Sequence, residues 1–140
     1  LYAQVALNPN AEEWYAQSLS ESIKHYDYTA IMAMPYMEQA EDSQQFYKDI
    51  VDRVKQQECG LERTVIELQS VNWRKENEPI STQEMDSTIR SLYNLGVHHI
   101  AYYPDNVYTN VPDADVINKA FSEKPIRMHS YSIKTTAPAQ

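Results

Sequence analysis

The sequence predicts an α/β fold built from parallel βα units, and it favours the C-terminal half of a TIM-like (β/α)8 barrel. Four apolar and aromatic segments have the length of β-strands, with centres near Val5, Ala33, Glu67 and Ala101. These centres are roughly 30 residues apart, which is the size of one βα unit. Because a closed eight-stranded barrel takes about 250 residues, four units form either a small open sheet or half of a barrel.

The first unit is predicted from a strand over Tyr2–Leu7 and a helix that follows it. Asn10 with Glu13 three residues later has the form of a helix start. The apolar residues that follow share one helical face, so we expect Trp14 to lie in the core. These residues are Trp14, Leu19, Ile23 and Tyr26.

The second and third strands are predicted over Tyr28–Met37 and Thr64–Val71. Both lack strict alternation along most of their length, as expected of parallel strands that are covered on both faces. Each is followed by a helix start, at Asp42-Ser43 and at the capping-box sequence Ser81-Thr82-Gln83-Glu84. The apolar positions of the two helices are Phe46, Ile50 and Val54 in the first, and Met85, Ile89 and Leu92 in the second, which ends at Gly96.

The fourth strand is predicted over His98–Tyr103, with a short helix between Asp113 and Phe121. Residues 1–123 then form one domain of four βα units, and residues 124–140, which contain Pro125 and Pro138, form an extended tail. The chain starts on a strand-like segment without a leader sequence, which favours the half-barrel over the open sheet.

Composition excludes several classes of function. The net charge is −8, from 20 acidic and 12 basic residues, and the basic residues are scattered, so neither nucleic acid nor an anionic membrane surface is an expected partner. A single cysteine, Cys59, rules out an internal disulfide, and no apolar run reaches the length of a membrane span. A cationic or neutral ligand is compatible with this charge.

No metal, cofactor or nucleophile motif is predicted. The adjacent His98 and His99 would point to opposite faces of a strand and could not bind one metal from the same side. Ser70 and Cys59 lack a nucleophile elbow. The two glycines, Gly60 and Gly96, do not form a phosphate-binding loop, so a nucleotide-binding fold is disfavoured.

Functional side chains of parallel α/β proteins lie where the strands end, and this position selects the candidate binding residues. Glu67 interrupts an apolar strand, so it is either a ligand-binding carboxylate or part of a buried ion pair or polar layer. Trp73 is either a stacking platform at the rim of a cleft or a loop residue folded back onto a helix. The complete candidate set is Tyr36, Glu38, Glu67, Gln69, Trp73, Tyr103, Asp105 and Asn106.

The acidic candidates leave the chemistry open. Glycoside hydrolysis needs two carboxylates at a controlled separation, and Glu38, Glu67 and Asp105 could supply them. Glu67 and Asp105 are the candidate catalytic residues. Asp105 could equally be a turn former in Pro104-Asp105-Asn106.

Three motifs at matching spacing resemble the C-terminal domain of the periplasmic poly-β-1,6-N-acetyl-D-glucosamine N-deacetylases of the PgaB/HmsF type. They are residues 26–36 (YDYTAIMAMPY), Ile66-Glu67-Leu68-Gln69 with Asn72-Trp73, and Tyr102-Tyr103-Pro104-Asp105-Asn106. The resemblance extends from about residue 1 to about residue 122. It implies a barrel domain that follows a polysaccharide deacetylase domain and that binds and hydrolyses the partly deacetylated polymer.

By this resemblance, Tyr36, Glu67, Gln69, Trp73, Tyr103 and Asp105 would line a sugar groove. The acidic catalytic motif of the family lies on earlier strands and has no match here, and the family's metal site lies in the deacetylase domain, so this segment needs no cofactor. The implied partners are the polymer and either the upstream half of the same barrel or a homodimer mate. The implied location is the periplasm or the outer membrane, with membrane contact at most through export partners.

Three hypotheses therefore remain open. The leading one is a segment of a polysaccharide-modifying enzyme that forms one side of its polymer-binding groove. The second is a carbohydrate-binding or scaffold module without catalysis of its own. The third is an unrelated open-sheet enzyme acting on a small molecule.

Overall fold

The computed structural model describes residues 1–123. The sequence-predicted tail, residues 124–140, lies outside the described residues. Seven helices are described: α1 Ala3–Leu7, α2 Ala11–Tyr15, α3 Leu19–His25, α4 Ser43–Lys55, α5 Gly60–Arg63, α6 Thr82–Asn94 and α7 Ala114–Ser122. The strands of the same part of the chain are β1 Thr29–Ala33, β2 Thr64–Gln69, β3 Val71–Asn72, β4 Glu78–Pro79 and β5 His99–Tyr103.

The central feature is a parallel sheet in the order β1-β2-β5. Its register aligns Met32 of β1, Glu67 of β2 and Ala101 of β5 across the sheet. Helices alternate with these strands along the chain, so the α/β class and the parallel pairing predicted from the sequence are confirmed. β3 and β4 form a small antiparallel hairpin directly after β2.

The two faces of the sheet have different surroundings. On one face Ile31, Ile66 and Leu68 are at most 2% exposed and join a continuous apolar core with α4 and α6. On the other face Met32, Glu67 and Ala101 are only half-buried. Because successive side chains of a strand point to opposite faces, each strand contributes to both environments.

The helices α4 and α6 begin where the sequence predicts. The Asp42 carboxylate accepts hydrogen bonds from the amides of Gln44 and Gln45 at 2.8 and 3.0 Å. The Ser81 hydroxyl accepts one from the Glu84 amide at 3.2 Å. Such N-caps satisfy helix amides that have no partner within the helix. The predicted apolar positions of both helices are buried.

The strand predicted over Tyr2–Leu7 is wrong. Tyr2 forms an isolated parallel bridge with Met32, and the chain then turns into α1, where the Val5 amide donates to the Tyr2 carbonyl at 3.0 Å. Ala3 and Ala6, three residues apart, are buried on one side of this short helix. Alanine favours helix, and a short apolar run does not distinguish a buried helix from a strand, so packing decided the outcome.

The single helix predicted after Asn10 is divided in two, and the predicted core position of Trp14 is wrong. Ala16 adopts a left-handed conformation with φ 51° and ends α2, and α3 starts after the cap residue Ser18. The break separates Trp14 from the apolar face that continues through Leu19 and Ile23. Trp14 is 68% exposed as a result.

The last unit follows the prediction closely. α7 is capped by the Asp113 carboxylate, which accepts from the amides of Asp115 and Val116 at 3.0 and 3.1 Å. It packs against α6, where Arg90 bonds Glu123 beyond the end of α7. Among residues 1–123 no helix is long and apolar enough to cross a membrane.

Candidate functional site

The site is built where the three parallel strands end, because their carboxyl ends meet at one edge of the sheet. β1 ends at Ala33, β2 at Gln69 and β5 at Tyr103. The segments that follow them are a turn over residues 34–40, the β3–β4 hairpin and a loop over residues 104–112. This is the edge where parallel α/β proteins bind their ligands.

Gln69 holds two of these segments together. It is 2% exposed, and its side-chain oxygen accepts hydrogen bonds from the amides of Tyr36 and Met37 at 2.9 and 3.3 Å. Its side-chain nitrogen donates to the Val71 carbonyl at 2.7 Å. The amide of Gln69 is thus used within the protein, and it positions the turn after β1 against the hairpin after β2.

Ser70 and Arg74 complete this framework. The Ser70 hydroxyl donates to the Pro104 carbonyl, and its amide donates to the Tyr103 carbonyl at 3.0 Å. The Arg74 guanidinium donates to the Met37 carbonyl at 3.0 Å. Every loop at the carboxyl edge is therefore tied to a neighbour, which fixes the positions of the side chains between them.

An aromatic pair stands at the centre of the edge. The rings of Trp73 and Tyr103 are stacked, with centroids 6.4 Å apart and planes inclined by 27°. Trp73 is half-buried and Tyr103 is 59% exposed. Trp73 is thus packed beside the end of β5, and the pair offers an aromatic surface to solvent.

A first cavity of about 310 Å³ lies over the half-buried face of the sheet. It is lined by Met32, Met34, Met37, Glu67, Trp73 and Tyr103. Within residues 1–123 the Glu67 carboxylate accepts no hydrogen bond and forms no salt bridge, but the N-terminal ammonium group of Leu1 interacts with it electrostatically. The ligand-binding role of Glu67 stays a prediction, as does its alternative, a buried ion pair or polar layer.

A second cavity of about 530 Å³ lies between the β3–β4 hairpin and the loop over residues 104–112. Trp73 lines this cavity too, so the two cavities share this residue. Asp105 and Asn106 line the second cavity but not the first.

Asp105 and Asn106 have different roles in the loop. The Asn106 side-chain oxygen accepts from the amides of Tyr108 and Thr109 at 3.2 and 3.3 Å, and its backbone bridges Val111. Asn106 is therefore the turn former of this segment. The Asp105 carboxylate is exposed and accepts no hydrogen bond from the described residues.

Tyr36 and Glu38 line neither cavity. The Tyr36 hydroxyl donates to the Glu84 carboxylate at 2.7 Å, and this hydrogen bond raises the pKa of Tyr36 to about 12. The Glu38 carboxylate accepts from the Gln4 side chain at 2.9 Å. Both side chains connect the turn after β1 to neighbouring helices, Tyr36 to α6 and Glu38 to α1.

The structure also adds residues that sequence reasoning did not select. Met32 and Met34 line the first cavity, and Tyr108 lines the second. The register could have identified Met32, because it lies directly beside Glu67 in the neighbouring strand. No sequence signal distinguishes Tyr108 from the other tyrosines.

The charge of the site is negative. Glu67 lines the first cavity and Asp105 the second, and no lysine or arginine among the described residues lines either of them. Within residues 1–123 no group of three or more His, Cys, Asp or Glu side chains is arranged to hold a metal ion. The arrangement suits a neutral or cationic ligand with an apolar face.

Comparisons with known proteins agree with the resemblance of the sequence motifs. A family model described as hypothetical glycosyl hydrolase family 13 matches residues 1–103. The chain is 34% identical over 126 residues to the poly-beta-1,6-N-acetyl-D-glucosamine N-deacetylases of Escherichia coli strain K12 and of Escherichia coli O157:H7. These alignments cover 87% of this chain and 19% of each relative, so the chain spans about a fifth of the length of these curated relatives.

The solved structure of the PgaB (BpsB) glycoside hydrolase domain from Bordetella bronchiseptica is also similar. It is 42% identical, with a TM-score of 0.83, and the match covers 89% of this chain and 35% of that one. The chain therefore belongs to hypothetical glycosyl hydrolase family 13 and corresponds to part of the glycoside hydrolase domain of the PgaB-type poly-β-1,6-N-acetyl-D-glucosamine N-deacetylases.

Proposed function

We propose that this chain forms one side of a groove that binds partly deacetylated poly-β-1,6-N-acetyl-D-glucosamine, within a protein that modifies this biofilm polysaccharide for export. The observation that carries the proposal is the stacked pair of Trp73 and the exposed Tyr103, in which the Trp73 side chain lines two cavities. The E. coli relatives are N-deacetylases of this polymer by name. The loops of the groove are held in place by side-chain hydrogen bonds of Tyr36, Glu38, Gln69 and Asn106.

The chemistry of a hexosamine fits this surface. The apolar face of a pyranose ring can stack on an indole or phenol ring, while its hydroxyl groups need polar partners at the edge. Trp73 and Tyr103 supply the aromatic surface, and the carboxylate oxygens of Glu67 supply acceptors in the adjacent cavity. Such a combination of apolar walls with a few polar groups is typical of ligand sites.

The carboxylates would favour the deacetylated units of the polymer. Removal of an acetyl group leaves a primary amine, which is a cation at neutral pH. Glu67 and Asp105 face the two cavities without a competing cation among the described lining residues. A protonated glucosamine amine could therefore pair with either carboxylate, in agreement with the net charge of −8.

The half-buried face of the sheet fits the half-barrel interpretation. In a (β/α)8 barrel this face would line the interior, and helices would cover the other face, as α4 and α6 do here. The chain matches 35% of the Bordetella glycoside hydrolase domain, so further strands from the same protein, or from a homodimer mate, could complete the enclosure. By the resemblance of the sequence motifs, the proposed location is the periplasm or the outer membrane.

A specific observation favours the alternative, a carbohydrate-binding module without its own catalysis. Glu67 and Asp105 line different cavities, which share Trp73 as a lining residue. Glycosidases place two carboxylates on either side of one scissile bond, at roughly 5–10 Å. Within residues 1–123 the two candidate catalytic residues thus do not share one cavity.

Binding of partly deacetylated β-1,6-linked oligosaccharides to the full chain tests the proposal. We expect Trp73→Ala to abolish most of the affinity, because the indole lines both cavities. The matched control is Trp14→Ala, which removes the other tryptophan at an exposed position remote from these cavities. Equal affinity of wild type and Trp73→Ala, or no binding by the folded wild type, contradicts the groove assignment.

Cleavage of the polymer by the variants Glu67→Gln and Asp105→Asn separates the two versions of the function. A catalytic carboxylate loses cleavage and keeps binding when it becomes the neutral amide. A binding carboxylate loses affinity for deacetylated oligosaccharides, whereas affinity for the fully acetylated ones stays the same. The second pattern at both positions would identify a binding segment that depends on catalytic groups elsewhere.

A further inference from the structure

The loop over residues 104–112 presents two apolar side chains that the fold does not use. Tyr108 is 97% exposed and Val107 is 74% exposed, and both line the second cavity. Tyr108 is the most exposed of the large apolar side chains in residues 1–123. Its ring makes no aromatic contact or side-chain hydrogen bond within this part of the chain.

The backbone of this loop is nevertheless well held. The amides of Asn106 and Val111 donate to each other's carbonyls at 3.0 and 3.2 Å, which closes the loop at its base. The Asn106 side chain bonds the amides of Tyr108 and Thr109, as described above. Ser70 bonds the Pro104 carbonyl on one side. A backbone held in this way fixes where the Tyr108 side chain leaves the loop before any ligand arrives.

The second cavity is the larger of the two, at about 530 Å³ against about 310 Å³. It shares one lining residue with the first cavity, Trp73. The hairpin contributes the Trp73 ring to the wall of this cavity, and the loop contributes the Tyr108 ring. Asp105, whose carboxylate accepts no hydrogen bond from the described residues, lines the same cavity. These are the groups that a second amino sugar would need.

We propose that the second cavity is a separate subsite for the next sugar units of the same polymer chain, with Tyr108 as its outer aromatic platform. This inference rests on the proposed function, because it takes the polymer on Trp73 as the occupant. Because Trp73 lines both cavities, a polymer chain stacked on its indole is close to both of them. Tyr108 then contributes to binding only when the ligand is long enough to reach it.

The test compares ligand lengths in the full chain by calorimetric titration with partly deacetylated β-1,6-linked di-, tetra- and hexasaccharides. Wild type should bind the hexasaccharide more tightly than the disaccharide. Tyr108→Ala should weaken the hexasaccharide by about three- to tenfold, in line with the value of one aromatic contact, and leave the disaccharide unchanged. Tyr108→Phe should keep the wild-type length dependence, because the ring face is retained.

Tyr26→Ala is the matched control, since Tyr26 is 66% exposed and lines neither cavity. A length dependence that is identical in wild type and Tyr108→Ala overturns the subsite while leaving the groove at Trp73 intact. Weaker binding of every length by Tyr108→Ala also overturns it, because Tyr108 would then belong to the first site. Absence of binding by wild type at all lengths overturns the groove and the subsite together.

Discussion

The two faces of the parallel sheet differ in burial, although the same strands form both: one face packs into the core, and the other lines a cavity. On the face covered by α4 and α6, Ile66 and Leu68 of β2 are 2% and 1% exposed. On the opposite face, Glu67 between them lines a cavity beside Trp73. Adjacent residues of β2 thus face either the core or the candidate site. We therefore expect substitutions at adjacent positions to change either the free energy of unfolding or the proposed ligand binding.

We expect the largest loss of stability when a core side chain on the covered face of the sheet is replaced by alanine. Leu68→Ala removes buried methyl groups from the centre of the core, and we expect the free energy of unfolding to fall by about 2–5 kcal/mol. Met32→Ala, on the half-buried face, should cost about 1 kcal/mol or less, because fewer contacts are lost. Urea denaturation of both variants measures the difference. An equal loss at Met32 would indicate that a second surface covers this face in solution.

The end of β2 offers a sharper test, because Gln69 is both buried and polar. Gln69→Leu leaves the amides of Tyr36 and Met37 without their acceptor, and we expect a loss of about 1–3 kcal/mol. Amide hydrogen exchange at Tyr36 and Met37 should also accelerate. Gln56→Leu, at an exposed position, serves as the control and should change stability by about 0.5 kcal/mol or less. Unchanged exchange at both amides in Gln69→Leu would exclude the positioning role.

The helices that cover the sheet depend on their N-terminal caps. Asp42→Ala and Ser81→Ala each remove a side-chain acceptor from a helix start, at a cost of about 1 kcal/mol. Asn10→Ala should have almost no effect, since the Asn10 side chain accepts no hydrogen bond from α2. Thermal unfolding of the three variants checks the order. A loss at Asn10 equal to that at Ser81 would contradict the capping geometry described here.

This contrast also shows what sequence patterns can predict. Asp42 and Ser81 precede long stretches with four-residue apolar spacing, so the cap signal and the periodicity agree and both helices were predicted. Asn10 has the same local signal, but Ala16 ends the helix after five residues and Trp14 turns to solvent. A left-handed alanine leaves no recognisable trace in a sequence, so this break could not be foreseen.

The candidate site was predictable where it depends on strand ends and not where it depends on loops. Glu67, Trp73 and Tyr103 were selected because apolar runs become polar there, and the register brings them to one cavity. The buried hydrogen bonds of Gln69 depend on how the loops meet in space, which the sequence does not reveal. The second cavity has the same origin, since it depends on where the loop over residues 104–112 folds back.

The smallest expected effect concerns the hydrogen bond from Tyr36 to Glu84, which joins the loop at the carboxyl edge to α6. This bond raises the pKa of Tyr36 to about 12, whereas the unfolded chain has a tyrosine pKa of about 10. Below pH 10 the phenol is protonated in both states, so the bond contributes its full stabilisation, about 1 kcal/mol or less. Between pH 10 and pH 12 the unfolded state loses its proton first, and this contribution is lost as the pH rises.

The stability difference between wild type and Tyr36→Phe should therefore be constant from pH 7 to pH 9 and should shrink towards pH 12. The control is Tyr108→Phe, which removes a hydroxyl that makes no hydrogen bond within the described residues, and its stability should follow that of wild type. If the stability of Tyr36→Phe instead runs parallel to that of wild type up to pH 12, the Tyr36 hydroxyl lies in solvent.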